Sequence, residues 1–473
     1  MCDATDTPAM ELQPQQQKER VVGAQNKLCV KCKTAKPSVS IRRSLYCRNC
    51  FVRSSVTKFR TALSKSRKRM PVTAARARVM VALSGGATSS AMLQLMADYQ
   101  RMELKGYAAE HTYDSIVAGH VDESALFSGY DDAQICDIAA AVDVECRVAR
   151  LEDVFELEGD RAALLELVHA TIAPGTTRDQ FCVRLTRGDE STPAREQLRA
   201  LFAGLGSATD REDMLDIIKS FLLARLARQA QCELLLLGDS GTRIASKLVS
   251  LTSRGRGFSL PLEVGAETPF LGSNDVVAYR PMRDLIMKEV AFFNLWTGQS
   301  SVVVPTFTTG APETASIDRL TEAFVVGLDR DFVSTVSTVC RTVQKLEQCP
   351  EALTAAKCIL CSMPAELNAQ AWRNRLTVNV APNERPSEHV ATPSADIQSP
   401  LSSFDVTARL CYSCQSLLHF AKPGVTLPVF CLDNYREQAT ASPPSDAGND
   451  VDIDADLQQR RESLRQRIEE FFI

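Results

Sequence analysis

Of the sixteen cysteines in this 473-residue chain, eight form four Cys-x-x-Cys pairs, a feature that constrains its folding more than any other. The pairs are Cys29/Cys32, Cys47/Cys50, Cys358/Cys361 and Cys411/Cys414. One such turn presents two thiolates from a single knuckle, and two knuckles complete the four tetrahedral ligands that zinc takes. "CVKC" and "CRNC" are separated by fourteen residues, close to zinc-ribbon spacing. A module this small cannot hold itself together by burial alone, so metal binding is expected to supply its folding free energy. "CILC" and "CYSC" are separated by forty-nine residues. Because loop-closure entropy grows slowly with length, a second site of the same kind is expected there. Cys431 reads as a buried residue rather than a substitute ligand. The chain shows no apolar signal-peptide stretch and no run near the roughly 18 apolar residues of a membrane span. The expected address is therefore the cytosol, where thiols stay reduced and bind metal.

The formal net charge of -4 hides an asymmetry. Between Val21 and Arg78 stand sixteen Lys or Arg and no Asp or Glu. Such a block attracts phosphate backbones through counterion release, independently of base sequence. A disordered basic arm or a localisation signal would look the same by charge, but the cysteine pairs inside the block favour a folded nucleic-acid-binding module. Its candidate phosphate contacts are Arg42, Arg43, Arg53, Lys58, Arg60, Lys65, Arg67, Lys68 and Arg69. Most of them lie on a basic helix, "VRSSVTKFRTALSKSRKRM", which ends before Pro71.

The remaining pattern divides the chain. Residues 1–26 read as a disordered polar tail, 27–70 as the zinc module with its helix, and 71–350 as an α/β domain. Residues 351–437 read as a second cysteine-pair module carrying a disordered Pro/Ser-rich insertion at 381–405, and 438–473 as an acidic linker with a terminal charged helix. Short apolar runs at 79–83, 115–121, 145–151, 232–238 and 275–282 predict strands. Residues 211–230 predict a helix that lays Met214, Leu215, Ile217, Ile218, Phe221, Leu222 and Leu226 on the sheet. Another helical stretch spans 314–348, and no internal repeat is visible.

At the end of the first strand, "VALSGGATSS" places Ser84, Gly85 and Gly86 before a helix expected to begin near Ser89. Backbone amides of a glycine pair and the positive end of a helix can together hold a phosphate. Taken with "CVKCK", "YCRNCFVRSSVTKFR", "LLLLGDSGTRIASKLVS", "GRGFSLPLE" and "YRPMRDLIMKEVAFFN", in this order along the chain and followed by the last two cysteine pairs, the loop resembles the cytoplasmic tRNA 2-thiolation protein 2 family.

That resemblance implies a parallel-sheet PP-loop core, adenine nucleotide alpha hydrolase-like, flanked by N- and C-terminal zinc-ribbon-type modules. It implies a cytoplasmic complex with a paralogous catalytic PP-loop subunit, which makes 2-thiouridine at the wobble position of Lys, Glu and Gln tRNAs. Sulfur would come from a thiocarboxylated ubiquitin-like carrier of the Urm type, the carrier also used in protein urmylation. No membrane partner is implied.

Active PP-loop enzymes carry Ser-Gly-Gly-Lys-Asp-Ser where this chain has Ser84, Gly85, Gly86, Ala87, Thr88 and Ser89. Ser84, Gly85, Gly86 and Ser89 thus form a degenerate ATP loop, lacking the lysine that offsets phosphate charge and the aspartate that positions loop and magnesium. The second ATP-facing motif is likewise altered, to Gly238-Asp239-Ser240-Gly241-Thr242-Arg243. The central cysteines, Cys136, Cys146, Cys182 and Cys232, form no Cys-x-x-Cys pair and read as buried small hydrophobes. The expectation is a loop that keeps its shape, with at most weak affinity for ATP and Mg, and does no chemistry of its own; no residue is assigned as catalytic. Two other functions fit parts of the pattern: an ATP-dependent tRNA sulfurtransferase active by itself, and a zinc-ribbon nucleic-acid-binding factor of another pathway. Arg280, Arg283 and Lys288 suit either RNA phosphate, a partner subunit or a salt-bridged helix start. Arg254 and Arg256 suit either a flexible RNA contact or an ordinary loop. The five histidines receive no role.

Overall fold

The computed structural model describes residues 28–67, 77–104, 113–129, 131–155, 192–272, 276–347, 356–365, 409–422, 425–431 and 434. The expected N-terminal tail, the insertion at 381–405, the acidic segment and the terminal helix lie outside them, as do Lys68, Arg69 and Cys182.

The first module opens with a hairpin of Val39–Ile41 (β1) and Ser44–Tyr46 (β2), joined by Arg42 and Arg43. Both turn residues have positive φ, 48° and 65°, which is the twist a two-residue hairpin loop requires. Arginine tolerates that backbone poorly. The turn is nonetheless anchored: Arg42 Nη2 donates to the Asp284 carbonyl at 3.1 Å and to Glu289 at 3.3 Å. The basic helix follows as Arg48–Arg67 (α1).

Each expected strand is present. Ala77–Ala82 (β3), Tyr113–Asp122 (β4), Glu145–Arg150 (β5), Leu234–Leu236 (β6), Glu267–Pro269 (β7) and Val277–Tyr279 (β8) form one sheet in the order β5-β4-β3-β6-β8-β7. All neighbours are parallel except β7, an antiparallel edge strand. Val79, Met80 and Val81 are each 0% exposed, so the central strand has no solvent face, as a parallel sheet covered on both sides demands. Val79 and Val81 join a core with α1, Ala87–Leu104 (α2) and Asp132–Ala140 (α3), whereas Met80 joins the opposite layer, with Ala194–Gly204 (α4) and Ala208–Gln229 (α5).

The expected face of α5 is buried, and a Ser207–Asp210 capping box starts the helix. The C-terminal module packs on it as well. Phe221 stacks on Phe430 at 4.2 Å, and Ile359, Leu360 and Leu417 of the C-terminal module share the same core. The stretch 314–348 divides into Ile317–Asp331 (α9) and Thr335–Val343 (α10), the break falling at Phe332, whose backbone is not helical. Between β6 and β7 lie Gly241–Ser253 (α6) and the short Leu260–Val264 (α7), and Met287–Thr297 (α8) follows β8.

The basic helix is no free arm. Phe51, Phe59 and Leu63 are buried, Phe51 meets the Trp296 ring edge-on at 5.2 Å, and the Tyr279 hydroxyl donates to the Ala62 carbonyl. Glu289, 3% exposed, accepts from Lys58 Nζ at 2.6 Å as well as from Arg42, while capping its own helix through the Ile286 amide at 2.9 Å.

Candidate functional site

The two sets of cysteine pairs converge into two tetrathiolate clusters, Cys29/Cys32/Cys47/Cys50 and Cys358/Cys361/Cys411/Cys414, each with all sulfurs within 4.8 Å of one another. The insertion between the later pairs therefore does not prevent closure. Cys431 is buried outside the cluster.

Both clusters share one construction that the sequence reading did not register as a repeat. The residue after the second cysteine has positive φ, 58° at Lys33 and 59° at Ser362. Its amide donates back to the first cysteine's carbonyl, at 2.9 Å in both. The second pair sits at a helix start in both, with Phe51 N reaching the Cys47 carbonyl and Gln415 N the Cys411 carbonyl, each at 3.0 Å. The positive helix end favours thiolate over thiol there.

Four adjacent thiols cannot all ionise without a cation, and their protonation reflects this conflict. The Thr34 hydroxyl, then backbone amides, hold the Cys32 thiol down at about 6, while the Cys47 thiol pushes Cys50 up to about 12. In the C-terminal cluster the neighbouring thiols, Cys358 first, hold Cys411 far below the ordinary thiol range and drive Cys361 and Cys414 far above it. A divalent cation removes the conflict. Tetrahedral zinc with bonds of about 2.3 Å places its sulfurs roughly 3.8 Å apart. The observed separations, 3.9 Å for Cys32–Cys47 and 3.7 Å for Cys361–Cys411, fit that geometry. Arg256 supplies counter-charge to the second cluster. Burial opposes its ionisation, but Glu263 and the cysteines Cys361, Cys414 and Cys411 outweigh it, and its Nη2 lies 3.9 Å from Cys414 Sγ.

The degenerate loop lies where the strand order reverses, at the carboxyl ends of β3 and β6, which is where ligands enter open α/β sheets. Gly85 has φ +75°, and a Cβ there would meet Ile135 at 2.8 Å. A Cβ on Gly238 would approach the Ser89 backbone to 3.2 Å. Both glycines thus hold the close backbone approach of this turn. Its hydroxyls, however, bond within the loop: Ser84 and Ser89 hydrogen-bond each other at 3.2 Å, Ser89 donates to the Gly86 carbonyl at 3.0 Å and Ser90 to the Gly85 carbonyl at 3.2 Å. His120 Nδ1 donates to the Leu83 carbonyl at 2.8 Å, and burial, outweighing Glu123 and Asp122, holds the ring neutral.

The adjoining cavity, about 500 Å³, reaches from this loop to Cys361 of the C-terminal cluster. Six Lys or Arg line it, and so do six Asp or Glu. Lys219 pairs with Glu123 at 2.5 Å, Lys247 and Arg280 with Asp239 at 3.3 and 3.1 Å, and Arg256 with Glu263 at 2.9 Å. Arg254 pairs with Asp213, and with Asp318 at 3.4 Å. Burial pushes the Asp239 carboxyl up, but Lys247 and Arg280 prevail and hold it at about 2. Arg243 is likewise kept charged against burial by Asp216 and Asp239. The cavity therefore neutralises its own cations and offers a triphosphate no net positive field. Arg254 and Arg256 are fixed in these pairs and make no flexible RNA contact, and Arg280 is buried beside Asp239.

Among the basic residues expected to meet nucleic acid, Arg43, Arg53 and Lys65 are exposed. Arg42 and Lys58 are tied to Glu289, and Arg60 reaches Met102 at 2.5 Å. Arg67 ends α1, and nothing is described of its side chain. Cys136 and Cys146, expected as separate buried residues, are half-buried with sulfurs 3.0 Å apart. Burial and the Cys136 thiol push Cys146 well above the ordinary thiol range. Cys232 is buried as expected. The sequence reading missed Glu289 and His120, since neither has a local motif and both acquire their partners through tertiary contact.

A family model described as Cytoplasmic tRNA 2-thiolation protein 2 matches residues 316–416, from α9 to the last cysteine pair. Curated relatives carrying that description include one from Bos taurus, 34% identical over 375 residues and 72% of each chain, and one from Homo sapiens, 35% identical over 385 residues and 72% of each chain. A Danio rerio relative is 32% identical over 72% of each chain. Among solved structures, the U34-tRNA thiolase NcsA from Methanococcus maripaludis with its [4Fe-4S] cluster aligns at 15% identity and a TM-score of 0.46, covering 75% of this chain and 97% of that one. No helix among the described residues is long and apolar enough to cross a membrane.

Proposed function

Because the chain belongs to the cytoplasmic tRNA 2-thiolation protein 2 family, we propose that it works in the cytoplasm as the non-catalytic subunit of a tRNA thiolation complex. In this reading a paralogous PP-loop subunit activates the wobble uridine, U34, of Lys, Glu and Gln tRNAs with ATP. That subunit then inserts sulfur delivered as the thiocarboxylate of a ubiquitin-like carrier. The present chain holds the tRNA with its N-terminal basic module and keeps both modules folded around zinc.

The observation that carries the proposal is the disarmed loop: Ala87 and Thr88 stand where charge is needed, above a cavity whose six cations face six carboxylates. Without a net positive field, the charge that develops when pyrophosphate leaves is not stabilised. The two tetrathiolate clusters support structural metal, since a closed set of four protein ligands leaves no open position for substrate. The test is nucleoside mass spectrometry of tRNA from cells lacking this protein. Wobble 2-thiouridine should disappear and return on complementation with the wild-type chain, and unchanged thiolation would refute the proposal.

A further inference from the structure

A second cavity, about 750 Å³, lies between the N-terminal tetrathiolate module, α1 and α10, away from the degenerate loop. Its charge is the opposite case. Lys31, Arg42, Arg53, Lys58, Arg283 and Arg341 line it, and Asp284 is the one lining carboxylate. Glu289 from beneath engages Arg42 and Lys58. A divalent ion held by four thiolates retains two negative charges, which some of these cations must balance. A positive excess persists after all of these are set against it.

Two arginines also carry buried donors that are not satisfied. Arg283 is 9% exposed, its guanidinium lies 5.5 Å from the Tyr279 ring centroid, and its Nε and Nη1 are buried without hydrogen-bond partners. Nε of Arg42 is in the same state. Buried charged donors left unpaired are costly and rare, and where they line an open cavity they mark the place of a missing acceptor. Forked guanidinium donors match phosphate oxygens in geometry as well as in charge.

We propose that this cavity is the seat for backbone phosphate of the bound RNA, with buried Arg283 and part-buried Arg42 as its inner donors and Lys31, Arg53 and Arg341 as its rim. The inference rests on the tRNA-binding reading above and deepens it. It moves the RNA contact from the exposed length of α1 to the junction of the zinc module with the α/β domain. Cys340, buried in the same wall, takes no part: burial pushes its thiol up to about 11, so it stays neutral.

The test uses the full chain with both metal sites loaded and an unmodified tRNA transcript, with affinity measured by fluorescence anisotropy across a potassium chloride series. Arg53 and Arg341 are exposed, so the double variant Arg53→Gln/Arg341→Gln should fold like wild type, checked by melting temperature and metal content. Each lost phosphate contact reduces the salt slope by about 0.7–0.9, so the double variant should lose roughly 1.4–1.8, or about 30-fold in affinity at 0.1 M salt. A wild-type slope in the double variant overturns this inference and leaves the thiolation reading standing. Absence of RNA binding by the wild-type chain removes both. Should calorimetry instead show inorganic phosphate binding that the double variant loses while its RNA slope is unchanged, the cavity holds free phosphate and the inference fails.

Discussion

Replacing Glu289 with alanine is expected to loosen the N-terminal module from the α/β domain. The side chain is 4% exposed and receives three hydrogen bonds, from Lys58 at 2.6 Å, Arg42 at 3.3 Å and the Ile286 amide at 2.9 Å. The two cations are about one-third exposed, 31% and 33%, so water can partly replace the lost carboxylate. That limits the cost to roughly 0.5–1 kcal/mol for each pair rather than the several kcal/mol of a fully buried one. Losing the helix-capping bond adds about 1 kcal/mol, for a total near 2–3 kcal/mol. In a domain of this size that corresponds to a melting temperature lower by about 5–10 °C. Glu289→Gln, which keeps an acceptor for the Ile286 amide, should lose about half as much. Differential scanning fluorimetry of the metal-loaded chain measures both, and limited trypsin digestion should show α1 cleaved sooner in the alanine variant. A Glu289→Ala protein melting within about 1 °C of wild type would refute the reasoning that this carboxylate joins the two units.

Restoring the missing residues with Ala87→Lys/Thr88→Asp is expected to yield no pyrophosphate release from ATP, because the cavity's carboxylates remain in place; release above background would show that the loop alone was limiting. Metal analysis should find two ions per chain, falling to one in Cys29→Ser and in Cys358→Ser, and an unchanged count in either would remove that cluster as a site. Asp239, held at about 2 against an ordinary 3.8, adds stability that is complete above about pH 4 and fades as pH falls toward 2. Asp239→Asn should therefore lower the urea midpoint at pH 7 by an amount worth about 2 kcal/mol, and far less near pH 2; equal losses at both would contradict the pairing.

Local pattern was enough for the elements whose cause is local. Apolar runs marked β3 and β6 because the centres of those strands are buried on both faces, and apolar spacing marked α5 from 211 onward, although its capping box at Ser207 starts the helix three residues earlier. The second burial of α5 was not legible. Phe221 lies on the expected apolar face, but its stacking partner Phe430 belongs to a module more than two hundred residues later, and no periodicity in 211–230 announces it.

The cysteine spacings determined the two tetrathiolate clusters, and the residues at 84–89 determined a glycine turn without lysine or aspartate, since thiolate ligation and phosphate neutralisation depend on residue type at short range. Tertiary structure alone decided what surrounds them. The ion pairs that close the loop cavity, and the arginines left unsatisfied beside the first cluster, join side chains brought together only by the reversal of strand order and the docking of α1. A run of sixteen basic residues announces attraction to phosphate. Which of them are already neutralised by the protein's own carboxylates is set by folding, because Coulomb energy depends on distance in space and not on position along the chain.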